Sequence, residues 1–292
     1  MKILKAIIMP NLQKENSVNC LNKTLDMLSK LGIEAYLDAS YKTQVSDRNV
    51  NFCEFIDAIS HMDIIIAIGG DGTLIHSCKH AVKHSIPVLG INVGRLGFLA
   101  QLECDELDGL ALLAEGKYTI EERLMIEAVV HTEAGQQVCV ALNDIAITKG
   151  LLARMIDIDV TCMGKLVSAY HGDGVIISTP TGSTAYAMSA GGPVVDPTIA
   201  SIAMTPICPH SLFARTVLFS PEKTLEVRAK YINTENDFFL SADGERPLKI
   251  RRDSTVVIRK SKLAAKFICF GKRDFYETLN LKMLGRGLTN EN

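Results

Sequence analysis

Ile64-Ile65-Ile66-Ala67-Ile68-Gly69-Gly70-Asp71-Gly72-Thr73 sets an uncharged apolar run directly against three glycines and one aspartate. Such a run predicts a strand buried on both faces of a parallel sheet. The glycines predict a turn whose backbone takes positive φ and comes close to a bulky anion, and Thr73 opens a helical pattern. A helix placed there points its first N–H groups and its positive dipole end at that anion. An aspartate in such a loop repels the ligand that the glycines attract. The conflict points to a carboxylate that works on a hydroxyl or holds a metal. Read alone, the same residues also fit a tight strand-to-helix turn with Asp71 as the helix cap. No Gly-Lys-Ser/Thr follows, so this is not a Walker loop, nor is it the dinucleotide fingerprint of a hydride-transfer enzyme.

Outward from this stretch, the preceding and following segments alternate between two periods. Lys5 to Met9 predicts a strand. Val18, Leu21, Leu25, Leu28 and Leu31 form a helical stripe over Ser17 to Leu31 that Gly32 ends. Glu34 to Leu37 predicts a strand, Phe52 to Ile59 a short helix, Thr73 to His84 a helix, Pro87 to Asn92 a strand and Leu107 to Ala114 a last short helix. Strands alternating with helices imply crossover units and a mostly parallel sheet. From about Met125 the pattern shifts to closely spaced strands: Met125 to Thr132, Val138 to Thr148, Asp157 to Thr161, Leu166 to Tyr170, Val175 to Ser178, Leu225 to Arg228, Phe238 to Ser241, Thr255 to Arg259 and Ala265 to Phe270. Turn signals between them suggest an all-β sandwich or layered sheet. Asp274 to Leu284 reads as helix. The expected organisation is an α/β domain over residues 1–120, a β-rich domain over 121–271 and a terminal segment over 272–292.

Length and composition bound the rest. The 292 residues suffice for about two domains, and 47% hydrophobic with 22% charged residues predicts a proper core. A formal charge of −2 and the absence of any long basic run argue against nucleic-acid binding. No apolar run approaches the roughly 18 residues of a membrane span, and the N-terminal run breaks at Pro10, too early for a signal-peptide core. The eight cysteines are scattered with no C-x-x-C pair. That usage predicts reduced thiols in the cytoplasm.

Three further stretches carry chemistry. Gly90-Ile91-Asn92-Val93-Gly94-Arg95-Leu96-Gly97-Phe98 is a second glycine loop at a strand end, and ligands in parallel sheets sit beyond the strands' carboxyl ends. Gly172 to Tyr186 holds six hydroxyl side chains (Ser178, Thr179, Thr181, Ser183, Thr184, Tyr186), three glycines and Asp173. Small hydroxyls and exposed amides suit sugar and phosphate oxygens, and Tyr186 offers a face for a ring. Asn143-Asp144 puts an amide and a carboxylate inside an apolar strand, where buried polar groups need partners. His76, His80 and His84 share a helical face, but no acidic residue accompanies them as a metal site requires; the reading is a solvated face with no metal ligands.

Together, Gly69 to Thr73, Asn143-Asp144 and Gly172 to Tyr186 resemble the NAD kinases, the ATP-NAD kinase family in its bacterial type. So do Gly90 to Phe98, Gly191-Gly192-Pro193, Ile207-Cys208-Pro209-His210 and Asp243-Gly244. The wider superfamily of diacylglycerol-type and phosphofructokinase-type kinases shares mainly the Gly-Gly-Asp-Gly piece, which leaves a lipid or sugar kinase as the alternative. The resemblance implies transfer of the ATP γ-phosphoryl group to the 2′-hydroxyl of the adenosine ribose of NAD. It implies an α/β N-terminal domain, a β C-terminal domain, a terminal segment returning to the first domain, a divalent ion such as Mg²⁺, and a homo-oligomer, dimer or tetramer. By the same resemblance Asp71 is the proton acceptor and Gly72 contacts NAD. Asn143, Asp144, Asp173 and Thr184, Ala185, Tyr186, Ala187, Met188 and Ser189 line the NAD pocket, and Arg154, His171 and Glu245 fall at further NAD-contacting positions. The family usually has Asn-Glu where this chain has Asn143-Asp144, and often Gln where it has Glu245.

Overall fold

The computed structural model describes residues 3–45, 49–132, 135–150, 155–230, 238–250, 254–271 and 273–288. The chain divides into two compact units, one made of 1–122 with 265–292 and the other of 123–264.

Unit 1 is built around the isoleucine run. All six residues of the strand Ile64–Gly69 are buried. In chain order the elements are β1 (Lys5–Pro10), α1 (Ser17–Lys30), β2 (Glu34–Asp38), β3 (Asn51–Cys53), α2 (Phe55–Ala58), β4 (Ile64–Gly69), α3 (Asp71–Ala81), β5 (Val88–Asn92), β6 (Leu102–Glu103) and α4 (Leu110–Ala114). The sheet runs β6-β5-β4-β1-β2-β3, parallel throughout. Alternate residues of β4 point to opposite faces. Ile64, Ile66 and Ile68 join Leu21, Leu25 and Leu28 of α1 in one core. Burial on both faces is the reason a strand with no polar residue is stable here.

Unit 2 is antiparallel. Its strands are β7 (Thr119–Thr132), β8 (Gly135–Ala141), β9 (Asp144–Lys149), β10 (Ile156–Cys162), β11 (Lys165–Gly172), β12 (Gly174–Ser178), β13 (Ile202–Ile207), β14 (Val217–Phe219), β15 (Leu225–Lys230), β16 (Phe238–Ala242), β17 (Leu248–Ile250) and β18 (Thr255–Cys269), with α5 (Tyr186–Ser189) after β12. One set pairs in the order β11-β10-β15-β18, with β18 also paired to β7 and β7 to β8; a second sheet runs β14-β13-β12-β9-β16-β17. Side chains from both sets, Ile158 and Val227 from the first and Ile145, Val175 and Leu240 from the second, meet in one core. Beyond Ala264 the chain rejoins unit 1: Phe267 of β18 pairs with Val88 of β5, and α6 (Phe275–Leu288) follows.

Several expectations are corrected. The helix at Phe52 to Ile59 is preceded by a strand, because Asn51 to Cys53 pair with Tyr36 to Asp38. Val138 to Thr148 is two strands that belong to different ladders, broken at Leu142-Asn143. Thr255 to Arg259 and Ala265 to Phe270 belong to one continuous strand. The strand at Ile202–Ile207 was hidden by Pro206, which pairs with Val175 on one side but lies beyond the Ile202 to Met204 ladder to β14 on the other. A proline is tolerated where no N–H is needed. The three glycines of the opening loop are also not at positive φ, and Gly70 is extended with φ −105°. One of them is required for space: a Cβ on Gly69 would strike Thr73, whereas one on Gly70 would meet only the end of the Lys14 side chain, 2.5 Å from Nζ.

Candidate active site

In unit 1 the helix α3 begins at Asp71, with Gly70 as its cap residue; Thr73 and Leu74 donate their N–H groups to the Gly70 carbonyl. That start leaves the first turn's remaining amides directed beyond the carboxyl end of β4, where an anion binds best. The Asp71 carboxylate is held by backbone. Its Oδ2 accepts the Phe98 N–H at 2.9 Å and its Oδ1 accepts the Leu99 N–H at 3.2 Å. Gly97 makes this approach possible, since a Cβ there would lie inside the Asp71 carboxylate. The second glycine loop therefore serves the first. From α6, Lys282 places Nζ 3.8 Å from Asp71 Oδ2 and 4.1 Å over the Phe98 ring, and Phe275 stacks tilted on Phe98 at 5.8 Å. Lys14 crosses above Gly70 and donates to the Val93 carbonyl at 3.3 Å.

A cavity of about 640 Å³ opens beside Gly72 and Thr73, lined also by Tyr41, Phe55, His76 and His80. His76 and His80 meet edge to face at 5.0 Å, and His80 meets Phe55 at 5.1 Å. The histidine face read as solvated is thus partly an aromatic wall.

In unit 2 the break between β8 and β9 is a hydrogen-bonded clasp. The Asp243 carboxylate accepts N–H groups from Leu142 at 2.9 Å, Asn143 at 2.7 Å and Asp144 at 3.2 Å, and Asp243 N–H returns to the Asp144 carbonyl. Asp243 adopts φ +52°, the left-handed region that aspartate tolerates better than most residues. From the other side Thr179 donates its hydroxyl to the Leu142 carbonyl and its N–H to the Asn143 carbonyl, and Gly182 has no room for a side chain against the Asn143 backbone. Held on both sides, Asn143 keeps a buried Oδ1 with no hydrogen-bond partner. A buried polar atom without a partner is the mark of a group awaiting a ligand or water. Asp144 is buried, in register with Ser178 on the neighbouring strand, whose buried hydroxyl is likewise unpartnered. Burial, and secondarily the Asp243 charge, push the Asp144 carboxyl up to about 7.

Asp173 and Tyr186 share a second cavity of about 620 Å³ with Lys149, Ile207, Phe239 and Pro247. Asp173 pairs with Lys149 at 2.6 Å. Tyr186 is raised above the usual phenol range, by burial first and then by Cys208, Asp144 and Asp173. Two further hydroxyls of the dense loop build its shape rather than project from it: Ser183 exchanges two hydrogen bonds with the Val195 backbone, and Thr184 bonds the Thr181 carbonyl. In α5, Ala187 is packed against Ala146, Ile176 and Ile207, while Met188 is half-buried and Ser189 exposed. His171 pairs with Asp157 across β10 and β11 at 2.9 Å, and His210 N–H reaches the His171 carbonyl. Glu245 is exposed in the turn after Asp243. Arg154 lies outside the described residues.

Sequence reasoning missed Asp243 as a clasp, the Phe98 and Leu99 amides as holders of Asp71, and Lys282. For the first, a motif was visible and its role was not. For Lys282 the sequence holds no signal, because a lone lysine in a terminal helix is ordinary.

Comparison with known proteins places these features in a family. Residues 7–118 match the ATP-NAD kinase N-terminal domain, and residues 142–270 match the ATP-NAD kinase C-terminal domain. The NAD kinase of Carboxydothermus hydrogenoformans is 38% identical over 237 residues, covering 80% of this chain and 84% of its own. That of Natranaerobius thermophilus is 33% identical over 281 residues, covering 95% and 97%. Among solved structures, an Archaeoglobus fulgidus NAD kinase in complex with ATP superposes with a TM-score of 0.72 at 25% identity, over 95% of this chain and 97% of that one. A yeast NADH kinase complexed with NADH shares the fold, with a TM-score of 0.86 at 21% identity over 97% and 88%. With both domain types matched in order and relatives above 30% identity along nearly the whole chain, the protein belongs to the NAD kinase family.

Proposed function

We propose that this chain transfers the γ-phosphoryl group of ATP to the 2′-hydroxyl of the adenosine ribose of NAD, giving NADP, with Asp71 as proton acceptor. The observation that carries the base assignment is the Asp71 carboxylate, fixed by the Phe98 and Leu99 amides at the N-terminus of α3. Each oxygen accepts one backbone N–H and keeps a lone pair for a hydroxyl. As the ribose oxygen attacks, an O–P bond forms, the bond to the β-phosphate oxygen breaks, ADP leaves and the hydroxyl proton passes to Asp71. Phosphoryl transfer depends on alignment and charge neutralisation more than on covalent help. The helix terminus and glycine-loop amides serve that end. A lipid or sugar kinase of the wider superfamily is not favoured, since the matches cover both domains of NAD kinases.

In this reading unit 2 selects the dinucleotide. The buried Asn143 Oδ1, Asp144, Asp173 and the face of Tyr186 are its recognition groups, and the run Thr184 to Ser189 with His171 and Glu245 supplies further contacts. The cavity beside Gly72, with its Tyr41 and histidine walls, suits the base and phosphates of the donor. Among the described residues no group of three or more His, Cys, Asp or Glu is placed to hold a metal ion. A divalent ion such as Mg²⁺ would be carried mainly by phosphate oxygens; when bound, it would offset charge on the transferring group.

The test is direct. Incubation with ATP, Mg²⁺ and NAD should give NADP. Asp71→Asn should lower turnover by roughly 10²–10⁴-fold, the worth of a positioned base, while NAD still binds. Full turnover in that variant would remove Asp71 from the role.

A further inference from the structure

Lys282 belongs to α6, a terminal helix that no part of the proposed chemistry has yet used. It reaches Asp71 twice. Directly, its Nζ stands 3.8 Å from Oδ2. Indirectly, it lies 4.1 Å over the ring of Phe98, the residue whose backbone N–H holds that same oxygen. Phe275, the first residue of the same helix, packs against that ring. The carboxylate, the Phe98 amide, the Phe98 ring and the ammonium thus close a small circuit between the loop after β5 and the end of the chain.

The separation defines the role. At 3.8 Å the ammonium is beyond the 2.7–3.2 Å of a direct N–H···O bond. It acts on Asp71 as a nearby charge, and the hydrogen-bonding positions of Oδ2 stay with the Phe98 N–H and an incoming hydroxyl. A cation seated on an aromatic face is also restricted in direction. The Lys282 side chain is 28% exposed and the Asp71 side chain 29%, so solvent screens the pair only in part.

We propose that Lys282 is a positioning residue for Asp71: by its charge and its seat on Phe98 it holds the carboxylate in the orientation the ribose hydroxyl needs, and thereby makes α6 part of the reaction centre. The inference rests on Asp71 being the base. Misplacement of a reacting group by about 1 Å can lower a rate on the order of 10²-fold.

Lys282→Met keeps the length of the stem and removes the charge. Its kcat should fall by roughly 10- to 100-fold, with KM for NAD and ATP nearly unchanged and only the small loss of melting temperature that the contact itself supplies. Lys282→Arg should restore most of the rate, because a guanidinium keeps both the charge and the stacking. In an Asp71→Asn background Lys282→Met should cost nothing further. A full rate in Lys282→Met, a loss that appears in KM, a loss Arg does not rescue, or a full extra loss in the Asp71→Asn background each overturns the proposal. Melting temperatures of the two single variants and the double variant examine the pair without turnover. Non-additive shifts support the contact and additive ones refute it, even if NADP never forms. Failure of the base assignment shows separately, as an Asp71→Asn variant with full turnover.

Discussion

Asp71 opens helix α3 and Asp144 opens strand β9, and their surroundings treat the two carboxyls differently. Asp71 is gripped by two amides that approach only because Gly97 lacks a side chain. A methyl group there displaces the end of the Asp71 side chain, which the fold tolerates and a proposed base held in one orientation does not. Gly97→Ala should therefore lower kcat at least about 10-fold while circular dichroism and melting temperature stay near the parent's. Asp144 is instead buried beside Asp243, and its carboxyl rises from an ordinary value of 3.8 to about 7. A folded value above the unfolded one means the folded state binds more protons between those limits. The stabilisation is then complete below pH 4 and is lost as pH rises through 7. The ionised carboxyl weighs against folding by on the order of a few kcal/mol. Asp144→Asn should gain in melting temperature over the parent increasingly from pH 5 to pH 8; an equal gap at both pH values would contradict this assignment.

At the scale of elements, the NAD-selecting half of the proposed site is a matter of backbone satisfaction. Asp243 accepts three consecutive N–H groups that have no ladder partner where β8 ends and β9 begins. Each buried donor left unsatisfied costs about 1–3 kcal/mol. Asp243→Ala should destabilise the chain by roughly 2–5 kcal/mol, read as a lower midpoint in urea, and should weaken NAD binding by letting Asn143 move. The Gly172 to Tyr186 loop obeys the same logic. Its composition suggested hydroxyls for sugar and phosphate, yet Thr179, Ser183 and Thr184 bond to the backbone. What stays without a partner is the buried Ser178 hydroxyl and, beside the loop, Asn143 Oδ1. A hydroxyl count cannot separate these uses, since serine and threonine bond to their own loop as readily as to a ligand.

At the scale of the whole molecule, each unit carries its own part of the proposed chemistry: the parallel unit holds Asp71, the proposed base, and the antiparallel unit holds the groups proposed for the dinucleotide. None of the eight cysteines forms a disulfide, and no described helix is long and apolar enough to cross a membrane. A homo-oligomer, dimer or tetramer, is the expected assembly, and light scattering coupled to size exclusion should return two or four times the 31.9 kDa chain; a monomer would refute it. Because substrates bind only the folded chain, NAD or ATP at about 100 times its dissociation constant should add roughly 2.7 kcal/mol, seen as a rise in melting temperature that Asp71→Asn retains for NAD.

The sequence by itself determined what depends on neighbours along the chain. The two hydrophobic periods marked the parallel and antiparallel units, and Gly69 to Thr73 with Gly172 to Tyr186 carried the resemblance to NAD kinases. Those signals are local, because periodicity and turn chemistry act over a few residues. Only the tertiary structure decided what depends on residues far apart. Phe98, Leu99 and Lys282 converge on Asp71, Asp243 closes on Asn143, and Gly69 and Gly97 are needed for space rather than for positive φ. Packing and backbone hydrogen bonds between distant segments have no period, so nothing in the order of residues announces them.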